Sequence, residues 1–290
     1  MPMQRALSTH LFVNQRLAPE LLGQIEAAGL PAIEIFCARQ HFDYTDPAQA
    51  RAIASWFAGN KLQLRSLHLP MYSDAEWGRS GPRAVVNIAG TGPASRQESV
   101  DEMKRALEFA ELAPIRFAVV HVGVAGEDFH PRKFDAVQMS LEALLPFARQ
   151  RGVELLLENI PNDLSTPPRL LEFVAFAALP EMRFCFDTGH AHLSGGVAEG
   201  FQKLRERVAS THIHDNRGAD DDHLFPEQGT IDWEGAARAF ASSANDLPLQ
   251  LELRDYGDLA RPLEKVLESF RRLEELARLG GLTAAREAKA

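Results

Sequence analysis

The sequence predicts a single (β/α)8 TIM barrel, an α/β fold over residues 1–279, on three observations. Short apolar, β-branched runs alternate with amphipathic stretches eight times from end to end, and eight βα units close a parallel sheet on itself. No linker or shift of composition parts the 290 residues into two domains. A His, Asp or Glu stands near the C-terminal end of six consecutive runs, the end at which such a barrel carries its active site.

The first strand is expected at residues 6–13, followed by a helix at 19–28. Strand two covers 32–37 and its helix 47–59; strand three covers 62–69, and its helix waits until 95–112. Strand four is 115–122 with helix 132–151, strand five 153–158 with helix 168–178, and strand six 182–187 with helix 198–207. Strand seven is 208–214 with helix 233–244, and strand eight 248–253 with helix 261–279. Residues 280–290 are small and charged and read as a flexible C-terminal tail. The connection 70–94, rich in Gly and Pro, is too long for a plain turn. It lies on the strand C-terminal side and is expected to act as a substrate lid.

An apolar content of 45% against 24% charged residues places the chain among globular proteins with a real core. The net charge of −9 argues against a nucleic-acid partner or an anionic membrane surface. No run reaches the roughly 18 apolar residues of a membrane span, and residues 1–14 lack a signal-peptide layout. Cys37 and Cys185 lie in apolar strand-like runs and read as buried, reduced thiols. These features predict a cytoplasmic protein.

The strand ends carry the chemistry. They read Leu67-His68-Leu69, Val120-His121-Val122, Leu157-Glu158-Asn159, Asp187-Thr188-Gly189-His190, His212-Ile213-His214-Asp215 and Leu251-Glu252-Leu253. Strand alternation puts Glu154, Leu156 and Glu158 on one face, and Gln250, Glu252 and Arg254 on another. If Glu158 and Glu252 face inward, both carboxylates point into the barrel mouth. Burying charge without a partner is expensive. A divalent cation is the simplest group that would let Glu158, Asp187, His212 and Glu252 converge. The stretch 210–224 adds three histidines and four aspartates, among them Asp221 and His223 as further metal or substrate contacts. His10, His41 and His130 lack such company and read as structural or surface residues.

At these residues the sequence resembles the xylose isomerase-like TIM-barrel superfamily. That group holds sugar isomerases and epimerases, inosose dehydratase and the endonuclease IV type of apurinic endonuclease. The most specific matches are the strand-end motifs above together with Asp221-Asp222-His223-Leu224 and Gly229-Thr230-Ile231-Asp232-Trp233. The resemblance to ketose epimerases implies one metal held by Glu158, Asp187, His212 and Glu252, with Glu158 and Glu252 also acting as catalytic acid and base. It implies substrate contacts from His190 and Arg217, with His214 beside them. The endonuclease branch implies further ligands at His68, His121, His190, Asp221 and His223. Xylose isomerases proper carry a lysine just after the strand-five glutamate; here Asn159-Ile160-Pro161 follows Glu158, which argues against a hydride shift.

The function expected from sequence is a divalent-metal-dependent isomerase or epimerase of a sugar or polyol ketone, working by glutamate-mediated proton transfer through an enediolate. Mn2+, Mg2+, Co2+ or Zn2+ suits a ligand set without thiolate, and no organic cofactor is expected. The partner is a small sugar-like molecule, and barrels of this kind often pair as homodimers. The alternatives are a multinuclear metal phosphodiesterase acting on abasic DNA and a dehydratase or lyase that shares the enolisation step.

Overall fold

The computed structural model describes residues 4–241, 243, 247–257 and 259–287, without the side chains of 280–287. Eight parallel strands form one sheet: β1 (Arg5–Ser8), β2 (Ala32–Phe36), β3 (Gln63–His68), β4 (Phe117–His121), β5 (Glu154–Glu158), β6 (Arg183–Asp187), β7 (Val208–His212) and β8 (Leu249–Leu251). The spatial order follows the chain from β7 back to β1, with β8 beside β1. A parallel bridge between Ile213 and Leu251 draws the last seam together, Ile213 N donating to Gln250 O at 2.8 Å and Glu252 N to Ile213 O at 3.2 Å. This is the (β/α)8 barrel that the alternation predicts.

The helices are α1 (Pro19–Ala27), α2 (Pro47–Gly59), α3 (Pro93–Leu107), α4 (Pro131–Arg149), α5 (Pro167–Phe176), α6 (Thr188–Leu193), α7 (Val197–Leu204), α8 (Trp233–Ala241) and α9 (Pro262–Glu287). Six of them open on proline, whose missing N–H would have no acceptor in a first turn and whose φ is already helical. The expected first strand stops at Ser8, where the hydroxyl accepts from His10 N and the chain winds into a 3-10 turn, Thr9–Phe12. The helix expected at 198–207 is α7, and an unforeseen short helix, α6, precedes it, parted from it by Gly195 and Gly196 at φ 119° and 112°. Backbone assigned to α9 continues to Glu287, beyond the point where the tail was expected to start, and residues 288–290 lie outside the described residues. So do residues 242 and 244, at the end of the helix expected at 233–244.

Inside the barrel the inward positions form a floor of Phe117, Val119, Leu156 and Cys185. The guanidinium groups of Arg65, Arg116 and Arg183 close it from below, 5.3, 4.8 and 5.8 Å from the Phe117 ring. Above the floor the inward positions turn polar. Two irregularities set the register there. Between β2 and β3 one residue is skipped, so that Glu34 lies opposite Ser66. Between β6 and β7 another is skipped, so that Asp187 lies opposite His212. Both cysteines are buried free thiols. Among the described residues no helix is long and apolar enough to cross a membrane.

Candidate metal centre

The strand ends are tied to one another before any ligand enters. The Asn159 side chain donates to Asp187 O and accepts from Asp187 N, both at 2.9 Å, and so locks β5 to β6. Asp187 Oδ1 in turn accepts from His190 N at 2.7 Å and starts α6. Gly189 is required by a close approach, because a Cβ there would lie 2.0 Å from His214 Cε1.

Four of the histidines expected at the site commit one ring nitrogen to a backbone carbonyl. Nδ1 of His68 donates to Leu69 O at 2.9 Å, that of His190 to Asn159 O at 3.0 Å and that of His223 to Glu252 O at 3.0 Å. That of His214 lies 3.4 Å from Asp215 O. A carbonyl only accepts, so in the neutral ring Nδ1 carries the proton and Nε2 presents a lone pair. These Nε2 atoms face carboxylates: His68 lies 3.4 Å from Glu158 Oε2, His190 and His223 lie 3.2 and 3.1 Å from Asp221 Oδ2, and His214 lies 3.1 Å from Asp187 Oδ2, while His121, which has no such anchor, brings its Nε2 to 3.1 Å from Glu158 Oε2. His68 Nε2 and His121 Nε2 are themselves 3.2 Å apart. Lone pairs facing one another at these distances repel unless a proton or a cation lies between them.

Three groups bring ligand atoms within 4.8 Å of one another: His68, Glu158, His212 and Glu252; Glu158, Asp187 and His190; and His190, His214, Asp221 and His223. The quartet expected from sequence is therefore divided. Glu158, His212 and Glu252 gather with His68, while Asp187 sits with His190, and Glu158 is common to both groups. The donor set fits a divalent cation: Glu158 Oε2 and Asp221 Oδ1 are buried with no hydrogen-bond donor on them. The field favours positive charge. Burial works against ionisation of Glu158, yet the His212 and His121 charges hold it well below the usual carboxylate range. Burial likewise opposes protonation of His223, and the Asp221 carboxylate outweighs it, lifting the imidazole to about 9.

The family model of the xylose isomerase-like TIM barrel matches residues 22–276. The chain belongs to that family. Among curated relatives, the uncharacterised protein MJ1311 of Methanocaldococcus jannaschii is 25% identical over 276 residues, 92% of this chain and 89% of that one. The uncharacterised protein y4fM of Sinorhizobium fredii is 29% identical over 168 residues, and the match spans about half of each protein (54% and 53%). Among solved structures, a D-tagatose 3-epimerase-like protein superposes with a TM-score of 0.74 at 21% identity, over 97% of this chain and all of that one. An L-ribulose 3-epimerase gives 0.71 at 18%, over 99% and 97%. The IOLI protein, solved with a bound zinc atom, gives 0.68 at 18%, over 97% of each.

In this xylose isomerase-like barrel the mouth opens into a cavity of about 570 Å³ between Met71, Tyr72 and Trp77 on one side and Ile160 and Pro161 on the other, with Arg254 also in its wall. A smaller recess of about 100 Å³ reaches inward to His10, His68, His223 and Glu252. The long connection thus reaches the site, and it is packed. Tyr72 pairs with Val85, Asp74 accepts from Gly78 N and Ser80 N, and Trp77 N donates to Gln40 Oε1 at 3.0 Å. A cavity of about 580 Å³ at the opposite end, where β5 and β6 begin, contains none of these groups.

Two expected substrate contacts, Arg217 and His214, do not line the two mouth cavities. Arg217 keeps 65% of its side chain exposed, pairs with Asp222 at 3.8 Å and does not line the mouth. His214 is fully buried, its ring stacked 3.9 Å from that of His223. Sequence reasoning missed Glu34, fully buried and 2.9 Å from His212 Nε2. A signal existed, since Glu34 is the only charged residue in the run 32–37. His10 also belongs to the recess, 4.7 Å from the His223 ring, with Nδ1 donating to Leu253 O at 3.0 Å. Burial, then the neighbouring His223 charge, holds His10 well below the ordinary histidine range. His130 and His41 do lie apart, the first capping α4 at Arg132 N and the second donating to Gln15 O.

Proposed function

We propose that the protein is a divalent-metal-dependent isomerase or epimerase of a sugar or sugar-like ketone. The observation that carries this reading is the pair of glutamates on one imidazole: Glu158 Oε1 and Glu252 Oε2 stand 2.9 and 3.4 Å from His212 Nδ1, and Glu252 lines the mouth recess. The fold neighbours named as epimerases, and the zinc seen in one of them, support it. His212, Glu158 and Glu252 would hold the cation with His68 or Asp187. When bound, a divalent cation supplies Lewis-acid polarisation of a ketose carbonyl, which acidifies the neighbouring C–H. One of Glu158 and Glu252 removes that proton, and the other returns a proton to the opposite face of the enediolate. His190, committed to Asn159 O through Nδ1, turns Nε2 toward Asp221 and the cavity and is the side chain best placed to orient a substrate hydroxyl. The flap carrying Tyr72 and Trp77 walls the cavity and limits water.

The test is isotope exchange. Metal-loaded protein incubated with a panel of ketoses in D2O is expected to wash deuterium into the carbon beside the carbonyl. Glu158→Gln and Glu252→Gln, folded and metal-loaded, should lower that rate by at least about a hundredfold. Full exchange in both variants sinks the reading.

The group His190, His214, Asp221 and His223 favours a second reading, a multinuclear phosphodiesterase, because a one-metal epimerase does not need it. Chelator-sensitive nicking of an abasic duplex, with more than one metal per chain by mass spectrometry, would support that reading over the first.

A further inference from the structure

His212 is anchored differently from its neighbours. The rings of His68, His190, His214 and His223 turn Nδ1 toward backbone carbonyls and Nε2 toward the centre. His212 is reversed. Its Nδ1 faces Glu158 and Glu252, and its Nε2 lies 2.9 Å from Oε1 of Glu34 on β2. The other Glu34 oxygen accepts from Ser66 Oγ at 2.8 Å, a contact that exists because the β2–β3 irregularity sets the two residues opposite. Glu34 is fully buried, lines neither mouth cavity and has no Lys or Arg partner among the described residues.

We propose that Glu34 is a positioning residue of the metal centre: it holds the His212 ring in the Nε2–H form, so that Nδ1 is the nitrogen offered beside Glu158 and Glu252. The inference rests on the reading of His212 as a metal ligand. With a cation on the Nδ1 side, where Glu158 and Glu252 stand 2.9 and 3.4 Å away, the opposite neutral tautomer would put a proton in the cation's place and set the Nε2 lone pair against a carboxylate oxygen at 2.9 Å in a dry interior, where like charges are poorly screened. A carbonyl anchor only fixes a ring. A carboxylate anchor also adds negative charge behind it, which polarises the N–H toward the carboxylate and makes the opposite nitrogen a better lone-pair donor to a metal. Ser66 holds the carboxylate against rotation, so the chain Ser66–Glu34–His212 runs from β3 through β2 to the centre. His212 would therefore be the strongest imidazole donor of the set.

The test uses zinc-loaded protein labelled with 15N at histidine. In wild type, His212 Nε2 should resonate as an N–H and Nδ1 as the metal-bound nitrogen. Zinc affinity, measured by chelator competition, should fall by about tenfold or more in Glu34→Gln, which keeps the shape and removes the charge, with the circular dichroism spectrum unchanged. Ser66→Ala, which frees the far oxygen only, should cost less, about two- to fivefold. Zinc bound through His212 Nε2, or a Glu34→Gln affinity within about twofold of wild type, overturns the proposal. If Glu34→Gln does not fold, Ser66→Ala decides by the same two readouts, an unchanged affinity overturning it. Wild type taking up no zinc at all is a different result: it removes the metal centre itself, and this inference with it.

Discussion

Gly189 leaves no room for a side chain. Its missing Cβ is the space that the His214 imidazole occupies, 2.0 Å from where that carbon would sit. Gly189→Ala must push His214 off Asp187 and Asp221, and overpacking of this kind costs about 1–3 kcal/mol. Thermal melts should register that loss, and metal analysis should find the His190, His214, Asp221 and His223 group emptied before the Glu158 group. A second residue-scale prediction concerns pH. His41 is fully buried, and its pKa is lowered to about 4, by burial above all, against hydrogen bonds to Gln15 and Phe12. The folded state therefore keeps it neutral while the unfolded chain takes up a proton below about 6.5. Stability is unaffected above that value and is lost as pH falls toward 4, by up to about 3 kcal/mol. His41→Gln should flatten the slope of unfolding free energy between pH 6.5 and 4; a slope equal to that of wild type would refute the assignment.

At the scale of elements, the segment after β7 depends on Asp215. Its two oxygens accept from Asn216 N (2.9 Å), Ile231 N (3.2 Å), Gly229 N (3.0 Å) and Trp233 Nε1 (2.8 Å). The motif Gly229-Thr230-Ile231-Asp232-Trp233 is thus a clasp that closes the excursion carrying Asp221 and His223, and Asp232 caps the start of α8 through Gly235 N. Asp215→Asn turns an amide toward two of those donors. Leaving them unpaired should cost about 2–4 kcal/mol, read as a lower urea midpoint at unchanged m-value. The motif was visible in the sequence, and its function as a clasp was not, because hydrogen bonds between residues 14 to 18 positions apart leave no periodic trace. The flap is a similar case. Its length gave it away, whereas Tyr72–Val85 pairing and the docking of Trp77 on Gln40 belong to the folded chain.

For the whole molecule the dominant electrostatic fact is a concentration of buried acid. Glu34, Glu158, Asp187 and Glu252 are all nearly or fully inaccessible, and among the described residues their ion pairs are with histidines alone. Buried charge that lacks a full counter-charge costs stability, so a cation bound at the proposed centre would be linked to folding. At free metal near a hundred times Kd the gain is about 2.7 kcal/mol, which for a chain of this size is a rise in Tm of about 5 °C. Dialysis against a chelator should lower Tm by that amount, and a divalent salt should restore it. A Tm indifferent to both would mean that histidine protonation alone balances the carboxylates.

The barrel was legible from residues because alternation, strand length and helix starts are local properties, repeated eight times. The residue types of the candidate site were legible as well, since a His or a Glu at the end of an apolar run conflicts with burial unless something compensates it. Which of them meet was not legible. The grouping of Asp187 with His190, the stacking of His214 on His223, the exposure of Arg217 and the entry of Glu34 and His10 belong to the folded chain, and two skipped residues in the register set Glu34 opposite Ser66 and Asp187 opposite His212. A one-residue offset between neighbouring strands changes which side chains stand opposite each other, and that offset is decided by the packing of the closed barrel, not by the composition of either strand.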